Sequence, residues 1–341
     1  MSKKWLPYEL HTHTYHSDGE HSLFELAQSA KEIGLFGIAM TDHNTMSPLL
    51  ECDLVEQENH IHIVRGMEWT TFFGHMLIIG ITDYVDWRDL GIRDIHVGIE
   101  RVHRQDGIVG IAHPFRVGSP MCTGCFWEYE ITNWHDVDYI EVWSYTLPSI
   151  LTSNQRAYRM WTDLLNQGYR ITGVCGRDWH ISSKKTLEPV AVSYLQLGTQ
   201  ELSADKAVVE AIRTGAVSVT MGPLLLFTIK SAANGSDFGI GDEIPLPHLD
   251  LAWEATVALD MSERADHWHL DEQKFTIVLF GNLGVMEERV IAGPVYSVSF
   301  PFQTEGLTWL RAELLGVVAN CRTMIAFTNP IYFQAANPAA I

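Results

Sequence analysis

Apolar and polar positions divide the chain into two regimes that meet near residue 215. Before that point, short β-rich runs alternate with stretches of helical period, the pattern of repeated βα units. Tyr8–Thr12 predicts the first strand. Ser22 and Glu25 form a capping box ahead of a helix whose apolar positions, Leu23, Leu26, Ala27, Ala30 and Ile33, recur at helical spacing. Gly34 ends that helix, and Phe36–Thr41 predicts the next buried strand. Further β-like runs are His60–Glu68, His75–Ile81, Ile108–His113, Val137–Val142, Ile171–Cys175 and Val190–Leu195. Helices are predicted near Leu90–Gln105, Leu151–Gln167 and Ser203–Thr214.

Beyond Gly215 the helical period fades. Val217–Thr220, Leu224–Ile229, Leu249–Val257, Phe275–Phe280, Val295–Phe300, Trp309–Val317 and Thr323–Phe327 read as strands separated by Gly, Pro, Asn and Asp. The expected organisation is an α/β domain over residues 1–215 followed by a small β-sandwich over 216–341. The charged stretch Asp260–Gln273 carries His267 and His269 and reads as a solvated loop or hairpin tip rather than a second metal site.

Composition narrows the class. The 341 residues are 46% hydrophobic and 19% charged, an ordinary globular balance. No run of about 18 apolar residues suggests a membrane span. Met1-Ser-Lys-Lys-Trp-Leu-Pro has no apolar segment behind its lysines, so no secretory signal is expected. Five scattered cysteines suggest reduced thiols in a cytoplasmic protein rather than a disulfide framework. The pair Cys122 and Cys125 is a lone C-x-x-C, read as a packing feature of its loop, with a structural zinc or redox role as the alternative. A net charge of -19 argues against binding a nucleic-acid polymer through its backbone. Bound cations would offset part of that charge and let an acidic protein accept an anionic substrate.

Position matters more than number for the 16 histidines. His11 and His13 close the first predicted strand, and Asp18 follows in the loop after it. Asp42 and His43 end the second strand and Glu68 ends the third. His75 begins a strand, His113 ends the next, and Glu141 ends another. Asp178 and His180 follow Ile171–Cys175. In a parallel α/β barrel the strand C-termini converge on one face, so these side chains would share a small volume. Alternation puts His11 and His13 on one side, and likewise Asp178 and His180. Burying so many carboxylates and imidazoles together demands compensating charge, and divalent cations supply it.

The segments His11-Thr-His13, Ser17-Asp18-Gly19, Thr41-Asp42-His43-Asn44, Glu68, His113-Pro114 and Asp178-x-His180 together resemble the PHP (polymerase and histidinol phosphatase) superfamily over roughly residues 7–215. Gly66-Met-Glu-Trp-Thr, Gly74-His-Met-Leu-Ile-Ile-Gly, Ile140-Glu-Val-Trp, Gly215-Ala-Val-Ser-Val-Thr-Met-Gly-Pro and Phe327-Thr-Asn-Pro look like its CehA/McbA-type, carbaryl-hydrolase-like branch. The resemblance implies a distorted, TIM-like (β/α)7 barrel with two or three divalent ions, Zn, Mn or Fe. It further implies that His11, His13 and Asp178 hold one metal. Glu68 would bridge to a second, held by His75 and His113, while Asp18, His43 and His180 hold a third. Arg177 stands where a small residue is common, and His16 offers a spare ligand near Asp18.

Two cations sharing Glu68 would bind a bridging water and lower its pKa, giving a hydroxide that attacks a small phosphate ester. The same hydroxide can attack a carbamate, carboxylic ester or amide, and a non-catalytic, metal-stabilised binding module is a third reading. Asp42 is expected to orient a ligand. Arg177 and Arg116 are candidates for the substrate anion or for structural salt bridges, and Glu141 for an orienting group or a general acid. Phe126, Trp127 and Tyr129 could line the pocket mouth or belong to the core. The expected partner is a small anionic substrate; no membrane is expected, and homo-oligomerisation is left open.

Overall fold

A computed structural model describes residues 3–118, 124–182, 188–198, 204–231, 235–245 and 253–334. Nine strands and five helices build the first part: β1 Lys3–Thr12, α1 Leu23–Glu32, β2 Gly37–Met40, α2 Leu49–Asn59, β3 His62–Thr70, β4 His75–Ile79, α3 Ile95–His103, β5 Ile108–Ile111, β6 Tyr139–Ser144, α4 Thr152–Asn166, β7 Thr172–Gly176, β8 Val192–Gly198, α5 Asp205–Arg213 and β9 Val217–Thr220. The rest is β10 Leu224–Ser231, β11 Asp237–Gly239, β12 Glu243–Ile244, β13 Trp253–Asp260, β14 Phe275–Gly281, β15 Gly284–Ile291, β16 Ser297–Phe302, β17 Trp309–Val318, β18 Cys321–Thr328 and β19 Ile331–Phe333.

The sheet is mixed. Its main path runs β12-β19-β17-β18-β9-β8-β1-β2-β3-β4-β5-β6-β7. Parallel ladders join β1 to β2, β2 to β3, β5 to β6 and β6 to β7. Antiparallel ladders join β3 to β4, β4 to β5 and β1 to β8, which departs from the parallel barrel expected from the alternating pattern. The cause is the short connection Thr71–Gly74, which forms a hairpin where a βα unit would need a long crossover. Between β1 and the segment after β7 the backbone pairing is one parallel bridge, Thr12 to Trp179, rather than a continuous ladder.

The Ser22–Glu25 capping box forms as the sequence predicts, and α1 buries Leu23, Leu26, Ala27 and Ala30. That face packs with Ile38, Met40, Ile63 and Trp179 in one core cluster. A larger cluster, containing Trp69, Ile78, Val109, Ile140 and Trp161, fills the other side of the sheet.

All described regular structure beyond residue 217 is strand. It is continuous with the preceding sheet, because β18 pairs with β9. A second, four-stranded sheet, β11-β10-β13-β16, lies with β10 against β17 and β18. The predicted strand Leu249–Val257 lies outside the described residues from 249 to 252, as does Ser203 of the predicted helix.

Three cysteines, Cys52, Cys175 and Cys321, are free. Cys125 is disulfide-bonded, which corrects the expectation of wholly reduced thiols. Cys122 lies outside the described residues. Among the described residues no helix is long and apolar enough to cross a membrane. His269 is exposed and faces Asp271, while His267 packs on Gly34 at the end of α1; neither joins a ligand cluster.

Candidate metal centre

The end of β1 sets the centre. His11 and His13 project from one side of an extended strand and are fully buried. Trp179 clamps that end from the β7 side, donating to His11 O at 3.0 Å and accepting from His13 N at 2.9 Å. Asp178, immediately before Trp179, sits at φ 55°, a left-handed conformation unusual for a residue with a Cβ. Strain of that kind costs about 1–3 kcal/mol and persists where the surroundings over-determine it. It places Asp178 Oδ1 3.3 Å from His11 Nε2 and 3.0 Å from His13 Nε2. The partner residue on β5's end, His113, also has positive φ, at 26°.

The β3–β4 hairpin explains His75. A strand-start residue in an all-parallel barrel would lie at the far end from the ligands. Because β4 runs back along β3, His75 pairs opposite Thr70 and returns to Glu68. Glu68 is the hub. Its Oε1 lies 3.1 Å from His75 Nδ1 and 3.4 Å from His113 Nε2. Its Oε2 lies 2.7 Å from His43 Nδ1, 3.3 Å from His11 Nε2 and 3.5 Å from His13 Nε2. Asp18 Oδ1 meets His180 Nε2 at 3.1 Å and His43 Nε2 at 3.3 Å.

The candidate ligand atoms thus fall into overlapping groups whose members lie within 4.8 Å of one another: His11, His13 and Asp178; Glu68, His75 and His113; His11, His113 and Glu141; and Asp18, His43 and His180 with His13. The first three groups are buried, whereas Asp18 is 59% exposed, so the fourth faces solvent.

Several of these atoms are close together yet make no hydrogen bond. His11 Nε2, His13 Nε2, Glu68 Oε2, His75 Nε2 and Asp178 Oδ1 are all buried and unpartnered. Each such orphan costs on the order of 1–3 kcal/mol if nothing satisfies it. Nitrogen and carboxylate lone pairs converging on one buried volume are a donor set for divalent cations.

Charge tells the same story. Burial opposes it, yet the Glu68, Glu141 and Asp178 carboxylates hold the His11 imidazolium well above the usual histidine range. His43 is likewise pushed up to about 10, by Glu68 and Asp18 against its desolvation. Glu68 and Asp178 are held well below the carboxylate range, against desolvation, by the imidazoles around them. His13 differs, since burial takes it down to about 4, and its ring is stacked 4.2 Å from both His43 and His180. The pocket therefore demands positive charge that His13 does not carry.

Supporting residues fix these positions. Glu141 is fully buried, accepts from His11 Nδ1 at 2.9 Å through Oε1, and from the His113 backbone N–H at 2.8 Å through Oε2. With Nδ1 held in this way, a cation that replaced the Nε2 proton would meet the Nε2 lone pair facing the cluster. Gly176 makes room for it, because a Cβ there would stand 2.3 Å from Glu141 Oε1 and 2.6 Å from His11 Cβ. Asp42 accepts from Thr14 N at 2.8 Å, Thr14 Oγ1 at 2.9 Å and Ser17 Oγ at 2.6 Å. It shapes the turn that carries Asp18.

Other sequence candidates go elsewhere. His16 turns to Ser47 Oγ at 2.7 Å and Glu51 at 3.2 Å, and joins no ligand group. Arg177 is buried with its guanidinium 3.4 Å from the Trp179 ring centroid, while its backbone N–H donates to Glu9. Arg116 does reach the centre, donating to Asp178 Oδ2. Tyr145, which the sequence reading missed, donates to the same oxygen at 3.2 Å, and Thr70 bonds His43 Nδ1. Tyr145 lies 33 residues from Asp178 and sits at φ 67°, so neither period nor spacing signals it. Of the three aromatics, Trp127 packs on Gly74 and Tyr129 is core, whereas Phe126 meets Phe115 edge to face.

Comparison with known proteins fits this geometry. Residues 9–167 match the PHP domain family. The match spans most of the candidate ligands and stops before Asp178 and His180, which the fold brings into the same cluster. A 5'-3' exoribonuclease from Haemophilus influenzae is 28% identical over 103 residues, 30% of this chain and 31% of that protein, so under a third of the relative's length is matched. A two-domain protein from Bacteroides vulgatus, described as containing a predicted PHP-like metal-dependent phosphoesterase, superposes with TM-score 0.54 at 13% identity, covering 96% of each chain. That likeness extends the shared fold to the C-terminal strands. A candidate metal-dependent phosphoesterase from Bifidobacterium adolescentis is 18% identical with TM-score 0.38, covering 60% of this chain and 95% of its own.

Proposed function

We propose that the chain is a metal-dependent hydrolase of the PHP type that cleaves small phosphate esters at a multinuclear centre. The observation that carries this reading is the set of buried, unpartnered lone pairs around Glu68 and Asp178. His11, His13 and Asp178 would hold one ion; Glu68, His75 and His113 a second that shares Glu68; and Asp18, His43 and His180 a third. Such ions supply a water of lowered pKa and polarise the phosphoryl oxygens.

The chain's own residues do the rest. Glu141 keeps the His11 proton on Nδ1 and fixes the ring's direction. With both its oxygens engaged inside the fold, Glu141 suits positioning better than proton donation. Arg116 and Tyr145 steady Asp178 through Oδ2 and present a guanidinium and a hydroxyl beside the cluster, where a substrate anion can take them as donors. Arg177, stacked on Trp179, suits a structural role. The β7–β1 seam, and the four-stranded sheet lying against the C-terminal strands of the main sheet, fit a distorted seven-stranded barrel over residues 1–215, buttressed by a sandwich over 216–341.

The test is turnover by metal-loaded protein on a panel of phosphomonoesters and phosphodiesters, with carbamates, amides and carboxylic esters alongside. Hydrolysis of the phosphate esters supports the reading. Activity confined to carbonyl substrates would replace it with the carbaryl-hydrolase-like one.

A further inference from the structure

A cavity of about 730 Å³ adjoins the centre, a size suited to a small organic ligand. Arg116 and Tyr145 line it and also bond Asp178, so the cavity begins where the ligand cluster ends. Phe115, Leu147 and Leu151 give it apolar walls. Arg156, exposed on α4, lines it as well.

Arg65, Arg88, Arg101, Arg104 and Arg170 each pair with a carboxylate, as an acidic protein makes easy. Among the described residues Arg156, Arg159, Arg177, Arg264, Arg289 and Arg322 have no carboxylate partner, and of these Arg156 alone lines the cavity. The acid that lines the same cavity, Glu188, is instead bonded to Thr146 Oγ1. Two aromatic rings hold the guanidinium, Phe115 at 4.3 Å and Phe126 at 5.5 Å from their centroids. Ring contact steadies the planar fork and leaves its N–H edge open to an anion.

We infer that this cavity receives the part of the substrate that is not cleaved, and that Arg156 captures a second anionic group on it. The inference rests on the phosphate-ester reading above. The substrates selected are phosphate esters whose alcohol half is a compact aromatic or apolar body bearing a carboxylate or a further phosphate. In a chain of net charge -19, such a ligand needs local cationic donors to approach at all.

Non-hydrolysable phosphonates test this on metal-loaded protein: benzylphosphonate, its 4-carboxy derivative and the para bisphosphonate, measured by calorimetry. The second anion is expected to tighten binding about five- to tenfold in the parent. Arg156→Gln should erase that preference and Arg156→Lys should keep part of it. Whichever second anion gains more, carboxylate or phosphonate, identifies the group selected. Equal binding of all three ligands by the parent overturns the inference, and so does an unchanged preference in Arg156→Gln. Turnover of phenyl phosphate and 4-carboxyphenyl phosphate, run in parallel, separates the two claims. If neither these esters nor the panel of phosphomonoesters and phosphodiesters is hydrolysed, the phosphate-ester reading fails while the phosphonate series still decides on Arg156.

Discussion

Replacing Glu141 by Gln probes how the centre is held without removing a proposed ligand. The carboxylate accepts two hydrogen bonds, from His11 Nδ1 at 2.9 Å and from the His113 backbone at 2.8 Å, and is wholly buried. An amide has one accepting oxygen. Its NH2 group must therefore face either the backbone N–H or the imidazole. Facing the imidazole, it favours the tautomer with the proton on Nε2, which removes the lone pair aimed at the cluster. Losing one charge-assisted bond at a buried site costs about 1.5–3 kcal/mol. Loss of an orienting partner typically lowers metal affinity about 10–100-fold, or roughly 1.4–2.8 kcal/mol, in agreement with that figure. Competition against a chromogenic chelator measures the affinity directly. A Glu141→Gln protein that binds its tightest ion as strongly as the parent would refute the orienting role.

Four further outcomes follow from the geometry. Gly176→Ala should lower metal affinity by the same route, since its Cβ would collide with Glu141 and His11, and should destabilise the fold by about 1–3 kcal/mol in urea titration. Asp18→Asn should lower the bound-metal count by about one while the buried groups stay filled, because only that group is solvent-facing; an unchanged count contradicts the third site. Asp205 accepts from His62 at 3.1 Å and from Arg65, and these partners, against the desolvation of burial, hold its carboxyl below the usual range. A depressed folded value stabilises above the unfolded pKa and loses that contribution as pH falls through the folded one, so Asp205→Asn should cost about 1–3 kcal/mol at pH 7 and progressively less below about pH 4. Arg311 is fully buried, bonded to Glu313 at 3.0 Å, with its guanidinium within 5.1 Å of the Tyr158, Trp161, Phe280 and Trp309 ring centroids; Glu313→Ala, which strands that charge, should cost about 3–5 kcal/mol in chemical denaturation.

The candidate ligands were legible because most of them sit at or just beyond a strand end, where period and chemistry coincide. His11, Glu68, His113 and Asp178 could be placed without knowing how the strands pair. The pairing was legible at one point that the reading as repeated βα units passed over: Thr71–Gly74 is too short for a crossover, so β4 runs back along β3 and brings His75 to Glu68. α2 escaped notice because its buried positions are Cys52, Val55 and Asn59, while Leu50 and Leu54 are exposed, so its apolar residues mark the wrong face. β15, with Glu287, Glu288 and Arg289 in its middle, is a polar edge strand that lacks an apolar alternation. Tyr145 and Arg156 act through contacts 33 to 41 positions away, at Asp178 and Phe115, and only the folded chain reveals them. Arg177 shows the converse, a residue beside a ligand in sequence whose side chain turns into the core.

Metal stoichiometry tests the central claim most directly. Protein purified without chelator and supplied with zinc, manganese or iron should hold two or more divalent ions per chain by elemental analysis, with Glu68→Gln losing more than one of them because its carboxylate serves the ligand groups of both buried ions. A fully replete parent that holds one ion or none, with Glu68→Gln unchanged, would contradict the shared centre.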